Sequence, residues 1–188
     1  MTYDLYIGDP SFSSWSLRGW LIFEKFGIPY RQHLLGIYDG RPNAELAELS
    51  PTRLLPLMRT PDGILVGDTL AIAETLVERH PENGLWPADP AARGLARWMA
   101  AEMHSGFAAL RQQCSMQLAY RIQMRGISPS LQADLNRLDE LWGEGLARHG
   151  GPWLAGEAFT AVDAFFAPVA FRIQTFGLRL SEAAQAYA

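Results

Sequence analysis

The stretch Leu54-Leu55-Pro56-Leu57-Met58-Arg59-Thr60-Pro61-Asp62-Gly63-Ile64-Leu65-Val66-Gly67-Asp68-Thr69 holds most of the information about the fold. Its two apolar, β-leaning runs, Leu54 to Arg59 and Ile64 to Val66, flank a Thr60-Pro61-Asp62-Gly63 turn, which predicts a tight antiparallel hairpin. Pro56 opens the first of these strands and has no N–H to give to a ladder, so either the strand lies at an edge or the Leu55–Pro56 bond is cis. A cis bond would turn the N–H and C=O of Leu55 outward, where a peptide-like ligand can pair with them in strand fashion. Gly67-Asp68-Thr69 then starts an amphipathic helix from Thr69 to His80, closed by Pro81. Asp68 and Thr69 either cap that helix or offer a carboxylate and a hydroxyl to a ligand's ammonium and carboxylate.

Outward toward the N-terminus, residues 3–8 are β-leaning up to Asp9-Pro10, and Trp15 to Phe26 carries apolar side chains at helical spacing. Tyr30 to Leu35 is a second extended piece. A loop with Gly36, Gly40 and Pro42 follows, then a short helical patch from Asn43 to Leu49 that stops before Pro51. The order through residue 80 is therefore β-α-β-α-β-β-α. Toward the C-terminus, residues 81–90 are rich in turn formers and read as a linker pinned by Leu85 and Trp86. Asp89 and Pro90 suit an N-cap and a first helical position, and a long helix is predicted from Ala91 to about Arg125. Another runs from about Pro129 to His149 and ends at Gly150-Gly151-Pro152. Thr160-Ala161-Val162-Asp163 is a capping box ahead of Ala164 to Phe176, with Phe159 placed to staple the helix start. The organisation is an α/β domain over 1–80, a linker over 81–90 and an all-α domain over 91–188.

The 188 residues are 48% hydrophobic and 19% charged, enough for a sizeable core. Sixteen basic against twenty acidic residues give a net charge of -4, which disfavours broad binding to nucleic acid or anionic membrane. No apolar run approaches the roughly 20 residues that cross a bilayer, and the start lacks a basic secretory leader, so a cytoplasmic location is expected. One cysteine, Cys114, excludes an internal disulfide, a CxxC pair and a thiolate metal cluster, and no metal is expected. On an apolar helix it reads as a packed, inert thiol.

The densest polar cluster is Ser11-Phe12-Ser13-Ser14-Trp15-Ser16-Leu17-Arg18, between the first strand and the first helix. Serines there cap a helix, and the same exposed amides and helix dipole favour an anion such as a thiolate or oxyanion. Further along, Met103, Phe107, Leu110 and Arg111 fall at helical spacing, a pattern more often core than binding site.

A serine cluster opening the first helix, a proline opening the third strand, Asp68-Thr69 opening the next helix and a helical second half together resemble the cytosolic glutathione transferase family. That family pairs a thioredoxin-like N-terminal domain with an all-α bundle. Asp68-Thr69-Leu70-Ala71-Ile72-Ala73-Glu74-Thr75-Leu76 is similar to its acid-Ser/Thr-x-Ala-Ile-x-x-Tyr-Leu segment, and Thr160 to Asp163 to the capping box of its sixth helix. Ser13-Ser14-Trp15-Ser16-Leu17-Arg18 is similar to the zeta-class Ser-Ser-Cys-Ser-x-Arg motif, with Trp15 in place of the cysteine. Ala101-Glu102-Met103-His104-Ser105-Gly106-Phe107 resembles the fourth helix of bacterial beta-class enzymes, so two class signatures are mixed.

The resemblance implies glutathione as co-substrate, with Ser13 activating its thiol and Ser14 or Ser11 as alternates. Leu55 and Pro56 would hold the cysteinyl backbone, Asp68 and Thr69 the γ-glutamyl end, and Arg53 the glycine carboxylate in place of the glutamine replaced by Leu54. Glu102 would reach glutathione in the partner subunit of a homodimer, and His104 would line the site. Phe107 and Arg111 would contact a small hydrophobic electrophile in the interdomain cleft, and Asp163 would serve folding. The resemblance also implies a further turn and helix beyond Ser181 to Ala188. Three activities follow from it: a transferase, a non-catalytic interaction module of the same fold, and a glutathione-dependent isomerase or reductase.

Overall fold

The computed structural model describes residues 2–36, 44–50 and 52–188, in two compact units that meet in sequence between Leu85 and Trp86. The loop expected around Gly40 and Pro42, and Pro51, lie outside the described residues.

In the first unit β1 (Tyr3–Ile7), β2 (Tyr30–Leu34), β3 (Leu57–Arg59) and β4 (Leu65–Gly67) form one sheet in the order β2-β1-β3-β4. β1 runs parallel to β2 and antiparallel to β3, and β3 pairs antiparallel with β4. The hairpin turn is closed by Thr60, whose N–H donates to the Ile64 carbonyl at 2.9 Å and whose Oγ1 accepts from the Ile64 N–H at 2.9 Å. The period of two along β1 buries Tyr3, Leu5 and Ile7. Helices α1 (Ser14–Lys25) and α3 (Thr69–Arg79) bury Leu17, Ile22 and Phe23, and Ile72, Ala73 and Leu76, in the same unit's core. Each buried leucine, isoleucine or phenylalanine contributes about 1.5–3 kcal/mol, far more than the helix propensities involved. Tyr6 and Leu57 form a second cluster with Leu35 and with Leu46 of α2 (Ala44–Leu49), and Leu49 and Leu55 pack on it. This is the thioredoxin-like arrangement.

Two expectations for this unit change in detail. The third strand begins at Leu57 rather than Leu54, because Pro56 has no N–H for the ladder; the Leu55–Pro56 bond is cis. Helix α1 begins at Ser14, with Ser13 as its N-cap.

The second unit holds α4 (Pro90–Ser105), α5 (Ala108–Gln113), α6 (Pro129–His149), α7 (Ala161–Phe176) and α8 (Glu182–Tyr187). Helix α7 is apolar around most of its circumference and is buried at its centre, as that composition requires. The capping-box aspartate behaves as expected: Asp163 Oδ2 accepts the Thr160 N–H at 2.8 Å. Phe159, expected to staple the helix, sets its ring edge-on to Trp153 at 5.1 Å.

The single long helix expected from Ala91 to about Arg125 is broken. Gly106 leaves α4 in extended conformation while its N–H returns to the Glu102 carbonyl, and a Cβ there would sit 2.7 Å from that oxygen. Phe107 follows at φ +55°, uncommon for any side chain larger than Asn. After α5 the chain is irregular from Cys114 to Ile127, and α7 supplies many of its hydrogen bonds. Arg172 Nε donates to the Cys114 carbonyl at 2.7 Å, Thr175 Oγ1 to the Gln117 carbonyl at 2.7 Å, and the Ile122 N–H to the Thr175 carbonyl at 2.7 Å. Tertiary partners satisfy the backbone that a helix would have satisfied internally. Cys114 therefore lies at the end of α5 rather than within a helix; it is buried, and burial pushes its thiol pKa up, as expected for a packed, inert group.

Candidate active site

The N-terminus of α1 follows directly from the end of β1. Asp9 makes the turn between them: its carbonyl accepts the N–H of Phe12 at 3.1 Å and of Ser13 at 2.8 Å, and its Oδ1 accepts the Ser11 N–H at 2.8 Å. Among the described residues, Ser13 alone of the three candidate serines has its hydroxyl in a hydrogen bond. Ser13 Oγ donates to Ser16 Oγ at 2.9 Å and accepts the Ser16 N–H at 3.4 Å. Ser16 is fully buried, and its Oγ also accepts the Gly8 N–H at 2.9 Å. Trp15, where the zeta-class motif has cysteine, carries the Arg18 guanidinium 4.5 Å from its ring centroid, and Arg18 is itself fully buried.

Two other segments close on the same helix. A Cβ on Gly19 would meet Pro56 Cγ at 2.9 Å, so the Leu55–Pro56 loop rests directly on α1. Leu55 anchors its side chain on the Tyr6 and Leu57 cluster. At the start of α3, Thr69 is buried and donates its hydroxyl to the Trp15 carbonyl at 3.4 Å. Its hydroxyl hydrogen is thus directed at α1. Asp68 caps α3 through Oδ1, accepting the N–H of Leu70 at 2.7 Å and of Ala71 at 3.4 Å, from a backbone at φ +71°. Arg53 is exposed at φ +55°. Among the described residues of the first unit, the non-glycine residues at positive φ are therefore two of the candidate ligand contacts, where strained backbone often collects.

The remaining candidates lie in the second unit. Glu102, expected to reach a partner subunit, gives both carboxylate oxygens to Arg137 of its own chain, at 2.6 and 2.9 Å, and Arg137 also meets Glu140 at 3.2 Å. His104 is half-buried on the last turn of α4. The stripe Met103, Phe107, Leu110, Arg111 does not share one helix, because the chain breaks at Gly106. Phe107 is buried with its ring edge-on to Phe166 at 6.4 Å, a core contact. Arg111 is half-buried on α5 and its charge is felt by Arg172, whose pKa falls to about 10 through burial first and Arg111 second. A pocket of about 640 Å³ elsewhere in this unit is lined by Arg121, Met124, Phe176 and Arg179 among others, none of them singled out in the sequence. Among the described residues no group of three or more His, Cys, Asp or Glu is arranged to hold a metal, and no helix is long and apolar enough to cross a membrane.

Residues 12–79 match the family model for the glutathione S-transferase N-terminal domain. Over 87 residues the chain is 37% identical to maleylacetoacetate isomerase of Dictyostelium discoideum, a match that spans 46% of this chain and 39% of that protein. Over 172 residues it is 28% identical to maleylacetoacetate isomerase of Rattus norvegicus, spanning 89% of this chain and 76% of the relative. A solved glutathione transferase homolog from Burkholderia gl BGR1, with bound glutathione, shares the fold at a TM-score of 0.73 and 19% identity, over 100% of this chain and 89% of that one. The first unit thus carries a match to the glutathione S-transferase N-terminal domain, and the chain shares its fold with solved glutathione transferases.

Proposed function

We propose that the protein is a glutathione transferase that binds glutathione on its first unit and uses the thiolate to attack a small hydrophobic electrophile. The observation that carries this reading is convergence: Ser13, the Leu55–Pro56 loop and Asp68-Thr69 all close on the first half of α1. A free thiol has a pKa near ~8.5, and lowering it by about two units corresponds to roughly 2.7 kcal/mol. One hydroxyl donor and a helix N-terminus can supply that, with Ser13 stabilising the thiolate rather than acting as a base. Leu55 would pair with the cysteinyl backbone, Asp68 would hold the γ-glutamyl ammonium and Arg53 the glycine carboxylate. Arg111 would face the electrophile. In a homodimer Glu102 would have to share Arg137 to reach glutathione bound by the partner.

Calorimetric titration with glutathione, paired with the ultraviolet absorbance of the bound thiolate, tests the assignment. Saturable binding lost in Asp68→Ala, with the thiolate signal lost in Ser13→Ala, is the expected outcome. No binding at millimolar glutathione would overturn it and leave a non-catalytic interaction module. A second reading, a glutathione-dependent isomerase, is favoured by the relatives named maleylacetoacetate isomerase. Against it stands Trp15 at the motif's cysteine position. Turnover of maleylacetoacetate with catalytic glutathione, and no conjugate formed with aryl halides, would replace the transferase reading with this one.

A further inference from the structure

We propose that Ser16 is a positioning residue for thiol activation, acting through Ser13 in a chain that runs from the Gly8 N–H to Ser16 Oγ, Ser13 Oγ and the glutathione sulfur. The inference rests on the reading of Ser13 as the thiolate donor. An amide can only donate, so the 2.9 Å contact from the Gly8 N–H fixes one lone pair of Ser16 Oγ. Ser13 Oγ, 2.9 Å away, gives its hydrogen to Ser16. When a thiolate arrives beside Ser13 it is the stronger acceptor, because charge-assisted hydrogen bonds are roughly twice as strong as neutral ones.

The Ser13 hydrogen then turns to sulfur, and the vacated lone pair of Ser13 Oγ faces Ser16. Ser16 can rotate its own hydroxyl hydrogen into that gap while still accepting from Gly8. The 2.9 Å contact reverses polarity with no movement of heavy atoms. Donation into Ser13 Oγ polarises the Ser13 O–H and strengthens its bond to sulfur, since hydrogen bonds in a chain reinforce one another by perhaps 10–30% each. No proton is transferred between the serines: each keeps its own hydrogen, and the thiol proton leaves to water. Ser16 can do this because it is fully buried, so no water competes for its hydroxyl, and because the backbone N–H it caps comes from the end of β1, which fixes its place.

The test measures the pKa of bound glutathione by thiolate absorbance together with glutathione affinity, in the wild type, Ser13→Ala, Ser16→Ala and the double variant. Ser16→Ala should raise the bound thiol pKa by about 0.5 to 1 unit, roughly a three- to tenfold fall in thiolate below the pKa, with affinity for protonated glutathione unchanged. The double variant should match Ser13→Ala alone. Because Ser16→Ala leaves the Gly8 N–H unpaired and can impair folding, Ser16→Thr and Ser16→Val form a second pair of equal shape: threonine should keep the low pKa and valine lose it. An unmoved pKa in Ser16→Ala, an equal pKa in the threonine and valine variants, or a further rise on adding Ser16→Ala to Ser13→Ala would overturn the proposal. A wild type that forms no thiolate would instead overturn the transferase reading itself.

Discussion

Helices α1 and α7 both begin with a hydroxyl N-cap, and the residue three positions on makes them different. At α7 the cap is Thr160 and the N3 residue is Asp163, which is 1% exposed and accepts four hydrogen bonds. Its Oδ1 takes the Leu154 N–H at 3.1 Å and the Tyr187 hydroxyl at 3.0 Å, and its Oδ2 takes the Thr160 N–H at 2.8 Å and the Thr160 hydroxyl at 3.2 Å. Burial pushes the Asp163 pKa up while these donors pull it back. At α1 the cap is Ser13 and the N3 residue is Ser16, so no carboxylate occupies the positive end of the helix. One start is saturated and serves the core; the other keeps its charge preference for an incoming anion.

The largest consequence is for stability at α7. Asp163→Ala should strand buried donors from two backbone amides and two hydroxyls, at a cost on the order of 3 kcal/mol in urea unfolding. A cost under about 1 kcal/mol would mean that the box is not saturated in the way its geometry indicates. The reverse split is expected at α1. Ser13→Ala removes a long cap bond of 3.4 Å, so stability should fall by only about 0.5–1 kcal/mol, while the bound thiol pKa rises by about two units. If Ser13→Ala instead unfolded the protein as Asp163→Ala does, the two helix starts would be the same kind of structure and the contrast would fail.

Tyr187→Phe sharpens the picture from within the box. The ring packs edge-on against Trp142 at 4.8 Å and survives the change, so only the hydroxyl bond to Asp163 is lost. Three donors remain, and the expected cost is about 1 kcal/mol. A cost as large as that of Asp163→Ala would assign the stability to α8 docking rather than to the carboxylate.

Local signals explain which parts of this were legible from sequence. Asp89-Pro90, Gly150 and the Thr160-to-Asp163 box fix helix ends within a few residues. The break at Gly106 is not legible in this way, because its partners are tertiary: the Leu110 N–H is taken by Asp134, and the segment from Cys114 is held by Arg172 and Thr175, all far along the chain. The serine cluster could be named as a site, but nothing local says that the buried member of it, Ser16, contacts both Ser13 and the end of β1. The pairing of Glu102 with Arg137, 35 positions on, leaves no mark in its local sequence. Helix α8 is fastened by Ser181, whose N–H and hydroxyl both donate to Asp139, again a distant partner.

The smallest effect separates donor number from burial. Asp4 on β1, like Asp163, is a carboxylate with several donors: Oδ1 lies 2.9 Å from His33 Nε2 and 3.0 Å from Arg31 Nε. The His33 hydrogen bond, foremost, and Arg31 hold its pKa below the usual carboxylate value, against the effect of burial. A folded pKa below the unfolded value of about 3.9 means that the contribution is complete above that value and is lost as pH falls through the folded pKa. Its partners are 37% and 70% exposed, so solvent screens the cluster and the contribution should be a few tenths of a kcal/mol. Asp4→Asn should lower urea stability by that amount near neutral pH, with the two stability curves converging under acid. A loss near that of Asp163→Ala would mean that donor count alone governs these carboxylates. A few tenths would leave burial as what distinguishes the saturated helix start from the rest of the polar surface.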